Sequence, residues 1–186
     1  MYILGINAYH GDASATLIRD GQLLVAVEEE RFNRQKHCAG FPTLAIRHCL
    51  EAAGIGPADL DHVAISRDPQ ANLHKKVLFG LSRPGSLKKV LLDRLANAAK
   101  VRDLRLELAT SLGVPGSALR ATFHQVEHHK AHLASAFFVS PFPTAAVCSL
   151  DGFGDFVSTM WGKGDGNRLE IAGQVEYPHS LGLMYT

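Results

Sequence analysis

Cysteine is scarce. Cys38, Cys49 and Cys148 are odd in number, far apart and free of any Cys-x-x-Cys pair, which argues against both a disulfide framework and a thiolate zinc site. No apolar run approaches the roughly 18 residues that a membrane-crossing helix needs, and Met1 to Ile6 leads straight into a strand-like pattern with no basic leader. The sequence therefore reads as cytosolic, with no membrane partner. Net charge is almost nil: 19 basic against 18 acidic side chains leave +1, so whole-molecule charge gives no reason to expect a polyanion, and nucleic acid is not an expected partner. What is present is ordinary globular composition. With 186 residues, 46% of them hydrophobic, the chain is long enough for a real core and reads as one domain or a piece of a larger one.

Tyr2 to Asn7, Ala13 to Ile18 and Gln22 to Val27 read as three strands of an antiparallel meander. Asp20-Gly21 supplies the tight second turn, and Asn7, His10, Asp12 and Ser14 lie at the first. A helix begins at Pro42 with Thr43 as its expected N-cap, carries Leu44, Ile46, Cys49, Leu50 and Ala53 at helical spacing, and stops at Gly54. Val63 to Ser66 then suits a parallel strand reached by helical crossover, giving a β-β-β-α-β order. Residues 70–120 read as a helical basic insertion lying over the main sheet, broken at Arg83-Pro84-Gly85-Ser86. Its charges are either a solvated face or a surface for a phosphate-rich partner. Only Phe79 interleaves with them, which argues against a single-strand nucleic-acid platform. Further on, Thr122 to Val126 is extended, Glu127 to Val139 helical and Ala145 to Leu150 extended. Asp151 to Asp155 reads as a glycine-rich turn, and Ser158 to Trp161 pairs with Leu169 to Val175 as a second meander much like the first. The chain stops on an apolar stretch, which suggests a truncated piece.

Four stretches carry residues suited to chemistry. Four of the ten histidines fall between His124 and His132, and His128 and His132, four apart, would share one helical face and present two imidazoles to a divalent ion. Surface or hydrogen-bonded histidines at a helix start are the alternative. Two ligands do not complete a site, and a carboxylate from another segment, Asp151 or a residue beyond Thr186, is the candidate. Asp151-Gly152-Phe153-Gly154-Asp155 lets backbone N–H groups approach a phosphate while an acid holds a metal or water, or is simply a capped hairpin turn. In the opening loop His10 has the titration range of a general base, with Asp12 to orient it or hold a cation, beside Asn7 and Ser14; ordinary turn chemistry is the alternative. The charge run from Glu28 to His37 is either a solvated loop or a clamp in which Arg31, Arg34 and Lys36 grip an anionic group.

Two strand-turn-strand openings with polar turns, separated by helices, resemble the start of the actin-like ATPase (ribonuclease H-like) fold, an α/β lobe with a mixed sheet, an antiparallel meander and covering helices. More specifically, the chain resembles the O-carbamoyltransferase family, which includes nodulation and antibiotic carbamoyltransferases. The matching residues are Ile3 to Asn7 with His10 to Ser14, Glu28 to Arg34 through Lys36-His37 and Phe41-Pro42, His128 to His132, Asp151 to Asp155, and His179 to Leu183. The resemblance implies the N-terminal part of a two-part enzyme. A C-terminal adenylate-forming domain would make carbamoyl-adenylate from carbamoyl phosphate and ATP, and the N-terminal part would pass the carbamoyl group to an acceptor hydroxyl on a small molecule. It also implies a metal, Fe2+ by resemblance, on His128 and His132, nucleotide contacts at Asn7, Ser14, Arg31, Arg34, Asp151, Gly152, Gly154 and Asp155, and a base at His10 with Asp12. A tRNA threonylcarbamoyl-transfer relative and a non-catalytic actin-like nucleotide-binding protein are the other readings, and the piece alone is expected to lack full activity.

Overall fold

A computed structural model describes residues 1–82 and 103–184 of the chain. It contains two compact units, one of Met1–Ser66 with the described part of Lys88–Gln125, the other of the described parts of Arg67–Leu87 and Val126–Thr186. No helix among the described residues is long and apolar enough to cross a membrane.

The first unit is built on a five-stranded sheet. β1 (Tyr2–Asn7), β2 (Ser14–Arg19) and β3 (Gln22–Glu28) form the antiparallel meander, with β4 (His62–Ile65) parallel to β1 and β5 (Thr122–Gln125) parallel to β4, in the order β3-β2-β1-β4-β5. Asp20 and Gly21 both take positive φ, 50° and 82°, the pair of left-handed residues that lets a two-residue turn follow the strand twist. Period-two alternation turns Leu4, Ile6, Ala15, Leu17, Val63 and Ile65 into the core. Helix α1 (Glu30–Asn33) is a single turn, and α2 (Thr43–Ala53) buries Ala45, Ile46, Cys49 and Leu50 in that core. This strand order, with an antiparallel meander followed by parallel strands, is that of an actin-like lobe.

The stretch expected to be an insertion over the sheet is in part a piece of the core. Helix α4 (Leu104–Leu112) buries Leu104, Leu108 and Ala109 beside α2, and β5 extends the sheet directly after it. Asp103 caps α4 through the N–H of Leu106, and Gly113 closes it in the left-handed conformation. Helix α3 (Leu73–Ser82) belongs to the second unit. The Arg83-Pro84-Gly85-Ser86 break and the basic residues up to Arg102 lie outside the described residues.

Thr43 does not cap α2. Pro42 stands at the N-cap without a side-chain bond, and the carboxylate of Glu29 accepts the N–H groups of Leu44 at 3.1 Å and Ala45 at 2.8 Å from across the core. Glu29 is only 5% exposed, so this acid of the charge run is neither solvated nor free for a ligand but buried and fully engaged. Glu29→Ala leaves two helix-end donors without their acceptor and is expected to cost about 2 kcal/mol in urea unfolding, with Glu29→Gln recovering part of the loss through its remaining oxygen.

All three cysteines are free. Burial pushes the Cys49 thiol up to about 11, whereas Cys148 is exposed. At about pH 8 a thiol reagent is expected to label Cys148 in the native protein and to reach Cys49 only after unfolding, as mass spectrometry would read directly.

The second unit carries the second meander: β6 (Thr144–Gly154), β7 (Val157–Asp165) and β8 (Arg168–Glu176), all antiparallel in that order. Helix α5 (His128–Phe137) packs Leu133 and Phe137 on Val147, Val157 and Met160. Asp151 to Gly154, expected as a turn, continue strand β6. The turn itself is one step later, at Asp155 and Phe156, whose φ values of 48° and 76° reverse the chain. Between Leu150 and Gly154 the pairing register with β7 is interrupted, a local bulge of the kind that re-aims a side chain, and Asp151 sits within it.

Candidate metal centre

The start of α5 is fixed by two carboxylates. Glu127 stands at the N-cap and accepts the N–H groups of His129 and Lys130, at 3.1 and 2.8 Å. Asp155, from the β6–β7 turn, accepts the N–H of His128 at 3.1 Å and that of Asp68 at 2.7 Å. Both satisfy donors that a helix start leaves open, and both place negative charge at the positive end of the helix. Burial raises the Asp155 carboxyl above the usual carboxylate range, with the two backbone donors opposing the shift. Asp155 is thus held by the protein's own backbone, where the sequence placed it among phosphate-binding residues.

Helical spacing brings His128 and His132 onto one face. Their Nε2 atoms are 3.0 Å apart, His128 Nε2 lies 2.8 Å from Asp151 Oδ2, and His132 Nε2 lies 3.6 Å from that same oxygen. The side chain of His128 is 11% exposed, and those of His132 and Asp151 are 49% and 39% exposed, so the cluster is anchored inside and opens to solvent on one side. Burial and then the neighbouring His128 hold the His132 imidazole below its ordinary range, favouring the neutral ring that can donate a lone pair. For Asp151, burial pulls upward, but the bond to His128, the N–H of Gly152 and the two imidazoles outweigh it and keep the carboxyl low.

These three donors suit a divalent ion. Ligand bonds of about 2.1 Å at right angles put neighbouring donors roughly 3.0 Å apart, and wider angles put them further. The observed triangle of 2.8, 3.0 and 3.6 Å lies close to that range, its shortest side slightly below it. Two imidazoles and one carboxylate on one side, open to solvent on the other, is the donor set associated with iron and other first-row ions that keep free positions. Among the described residues this is the one group of three or more potential metal-ligating side chains of this kind.

The histidine between the two has a different job. His129 is fully buried, with Nε2 2.9 Å from the carbonyl of Val157 and Nδ1 2.8 Å from Ser149 Oγ. A carbonyl only accepts, so the proton is on Nε2, and Nδ1 accepts from the hydroxyl. Burial lowers its titration, keeping it neutral, and it ties α5 to β6 and β7.

Glycines bring backbone against this cluster. A Cβ on Gly154 would stand 1.9 Å from His128 Cδ2, so only glycine lets β6 pass beneath that ring. A Cβ on Gly182 would stand 2.3 Å from the carbonyl oxygen of Asp151, and Ser180 Oγ donates to that carbonyl at 2.9 Å. The His179 to Leu183 stretch, whose role the sequence left open, therefore buttresses Asp151. Gly152 gives its N–H to Asp151 Oδ1 at 2.6 Å.

The other expected site residues belong to the first unit. Asn7 donates to the carbonyl of Asp12 at 3.0 Å and accepts from Ser66 Oγ at 2.9 Å, tying the ends of β1 and β4, while Ser14 pairs with Asn7 and Glu28 in the sheet. Arg31 is paired with Glu28 and Glu30 at 3.1 and 3.4 Å, and the exposed Arg34 ends α1 at a φ of 61°. His10 is half-buried in the β1–β2 turn. The side chain of Asp12 bonds His37 Nδ1 at 3.1 Å, a partner that sequence reasoning did not give it. The sequence offered no local signal for that pair, because the two residues are 25 positions apart.

Comparison with known proteins agrees with the family resemblance of the sequence. The chain matches the family described as "Carbamoyltransferase N-terminus" over residues 2–186. It is 37% identical over its full length to the uncharacterized protein sll1178 of Synechocystis, covering 31% of that protein, and 36% identical over 96% of its length to the nodulation protein NolNO of Sinorhizobium fredii, covering 25% of it. The chain thus spans about a quarter to a third of the length of these curated relatives. Among solved structures it is similar to YeaZ from Pseudomonas aeruginosa, with a TM-score of 0.46 and 15% identity over 95% of this chain and 67% of that one. With a family match over all but its first residue and relatives at this level of identity, the chain belongs to the carbamoyltransferase N-terminus family.

Proposed function

We propose that this chain is the transfer part of an O-carbamoyltransferase, which moves a carbamoyl group from carbamoyl-adenylate to an acceptor hydroxyl on a small molecule. The carbamoyl-adenylate comes from carbamoyl phosphate and ATP on an adenylate-forming domain of the same enzyme, and the isolated chain lacks full activity. The single observation that carries this reading is the convergence of His128, His132 and Asp151 within 4.8 Å in a chain of this family.

In this reading His128, His132 and Asp151 hold a divalent ion, Fe2+ or a related metal, which when bound supplies positive charge next to the departing phosphate of the nucleotide. His128 is positioned by the carboxylates of Glu127 and Asp155 through the helix start, and Asp151 by Ser180 and Gly182. The solvent-open side of this cluster, where the His132 side chain is 49% exposed, admits the anionic part of the nucleotide.

The test uses the full-length enzyme. It is expected to contain about one divalent metal per chain by elemental analysis, to release pyrophosphate from ATP only when carbamoyl phosphate is present, and to carbamoylate at least one compound in a panel of sugars, aminoglycosides and macrolides. Metal-free protein that still transfers carbamoyl at the same rate would overturn the reading.

A further inference from the structure

The parallel pair β4 and β5 sets two histidines side by side in the first unit. Val63 and Ile65 turn into the core, with Phe123 packed against it, so period-two alternation sends His62, Ala64, Thr122 and His124 to the opposite face of the sheet. The register pairs His62 with Thr122 and Ala64 with His124, which leaves the two imidazoles on a diagonal within reach of long side chains. They meet across it: His62 Nδ1 lies 3.0 Å from His124 Nε2, with the ring centroids 5.1 Å apart and the planes inclined at 49°. His124 is exposed and His62 half-buried, and among the described residues neither ring has another hydrogen-bond partner.

This contact is one proton shared between two ring nitrogens, one donating and one accepting. A divalent ion can take the place of that proton. Metal–nitrogen bonds of about 2.0–2.1 Å meeting at roughly 90 to 95° span the observed 3.0 Å, and a small rotation of the exposed ring opens the angle further. The donating ring stays neutral by carrying its proton on its far nitrogen, Nε2 of His62 or Nδ1 of His124, which frees the near nitrogen as the second ligand. Two imidazoles without a carboxylate suit zinc, copper or nickel, whereas Ca2+ and Mg2+ need oxygen ligands.

We propose that His62 and His124 form a second metal site, a two-imidazole site for a zinc- or copper-class divalent ion, separate from the His128 centre and independent of the carbamoyl-transfer reading. With two protein donors against three it holds its ion less tightly, so purified protein carries the ion of the His128 centre and this pair fills from added metal. The ion ties β5, an edge strand paired in the sheet with β4 alone, to its neighbour through side chains as well as backbone.

Full-length protein carrying His128→Ala and His132→Ala takes the other centre out of the measurement. It is expected to bind about one equivalent of added Zn2+ in a calorimetric titration. With the same amount of Cu2+, electron paramagnetic resonance should show coupling to the nitrogens of two imidazoles, a readout that needs no change at the pair. Adding His62→Thr or His124→Thr, replacements suited to a strand, is expected to weaken Zn2+ binding at least about 10-fold in each case, with circular dichroism unchanged. In otherwise wild-type protein both substitutions should leave the ion of the His128 centre in place, because neither touches its ligands. A copper signal from a single imidazole, or Zn2+ affinity unchanged by either substitution, overturns the assignment and leaves the two rings as a hydrogen-bonded pair only.

Discussion

On the proposed carbamoyl-transfer reading, His128→Ala is expected to strip the full-length protein of divalent metal and to abolish transfer, while leaving the second unit folded. The expectation follows from where each contact lies. His128 contributes a donor atom to the triangle with His132 and Asp151, whereas the anchoring of α5 falls to Glu127, His129, Leu133 and Phe137. Losing an outer partner of a metal ligand typically costs 10- to 100-fold in affinity, so losing the ligand itself should cost at least about 100-fold. His132→Ala and Asp151→Asn should behave alike. Metal content by elemental analysis, together with circular dichroism of the same samples, separates loss of the ion from loss of the fold. Full metal occupancy in all three variants would remove the centre from the mechanism.

Gly154→Ala is expected to damage the same centre without touching a ligand atom. The added Cβ would lie 1.9 Å from His128 Cδ2 and 2.1 Å from Cγ, separations that no side chain survives, so either β6 or the ring must move. The ring is confined by its bond to Asp151 and by the capped start of α5, and forced overpacking of this kind costs about 1 to 3 kcal/mol. A displaced ring carries Nε2 out of the triangle, so metal affinity should fall along with stability. Gly116→Ala, which meets nothing within 4 Å, is the neutral comparison. Thermal melts with and without added metal would read both effects, and a Gly154→Ala protein with wild-type melting and metal content would contradict the packing argument.

The parts of the fold governed by local pattern were legible in the sequence. Alternating apolar residues and Asp20-Gly21 gave the first meander, and the short Val63 strand after a helix gave a parallel neighbour to β1. His128 and His132 could be paired because helical geometry makes residues four apart neighbours. Contacts that bridge distant segments were not legible. Glu29 looks like one acid in a solvated run, and nothing in its neighbours shows that it caps a helix 15 positions later. Asp151 to Gly154 looked like a turn because two glycines normally break a strand, yet here Gly154 is needed for a ring to pass and the chain reverses only at Asp155. Asp12 and His37 were both visible, but not as partners.

The second unit has one further practical property. Trp161, the sole tryptophan of the chain, is 41% exposed on β7, and its indole lies over Gly173, where a Cβ would stand 2.3 Å from Cζ2. Its fluorescence is therefore an intrinsic gauge of this sheet alone. Emission recorded during denaturation reports the melting of the meander next to the histidine cluster, and the other sheet must be followed by a separate signal.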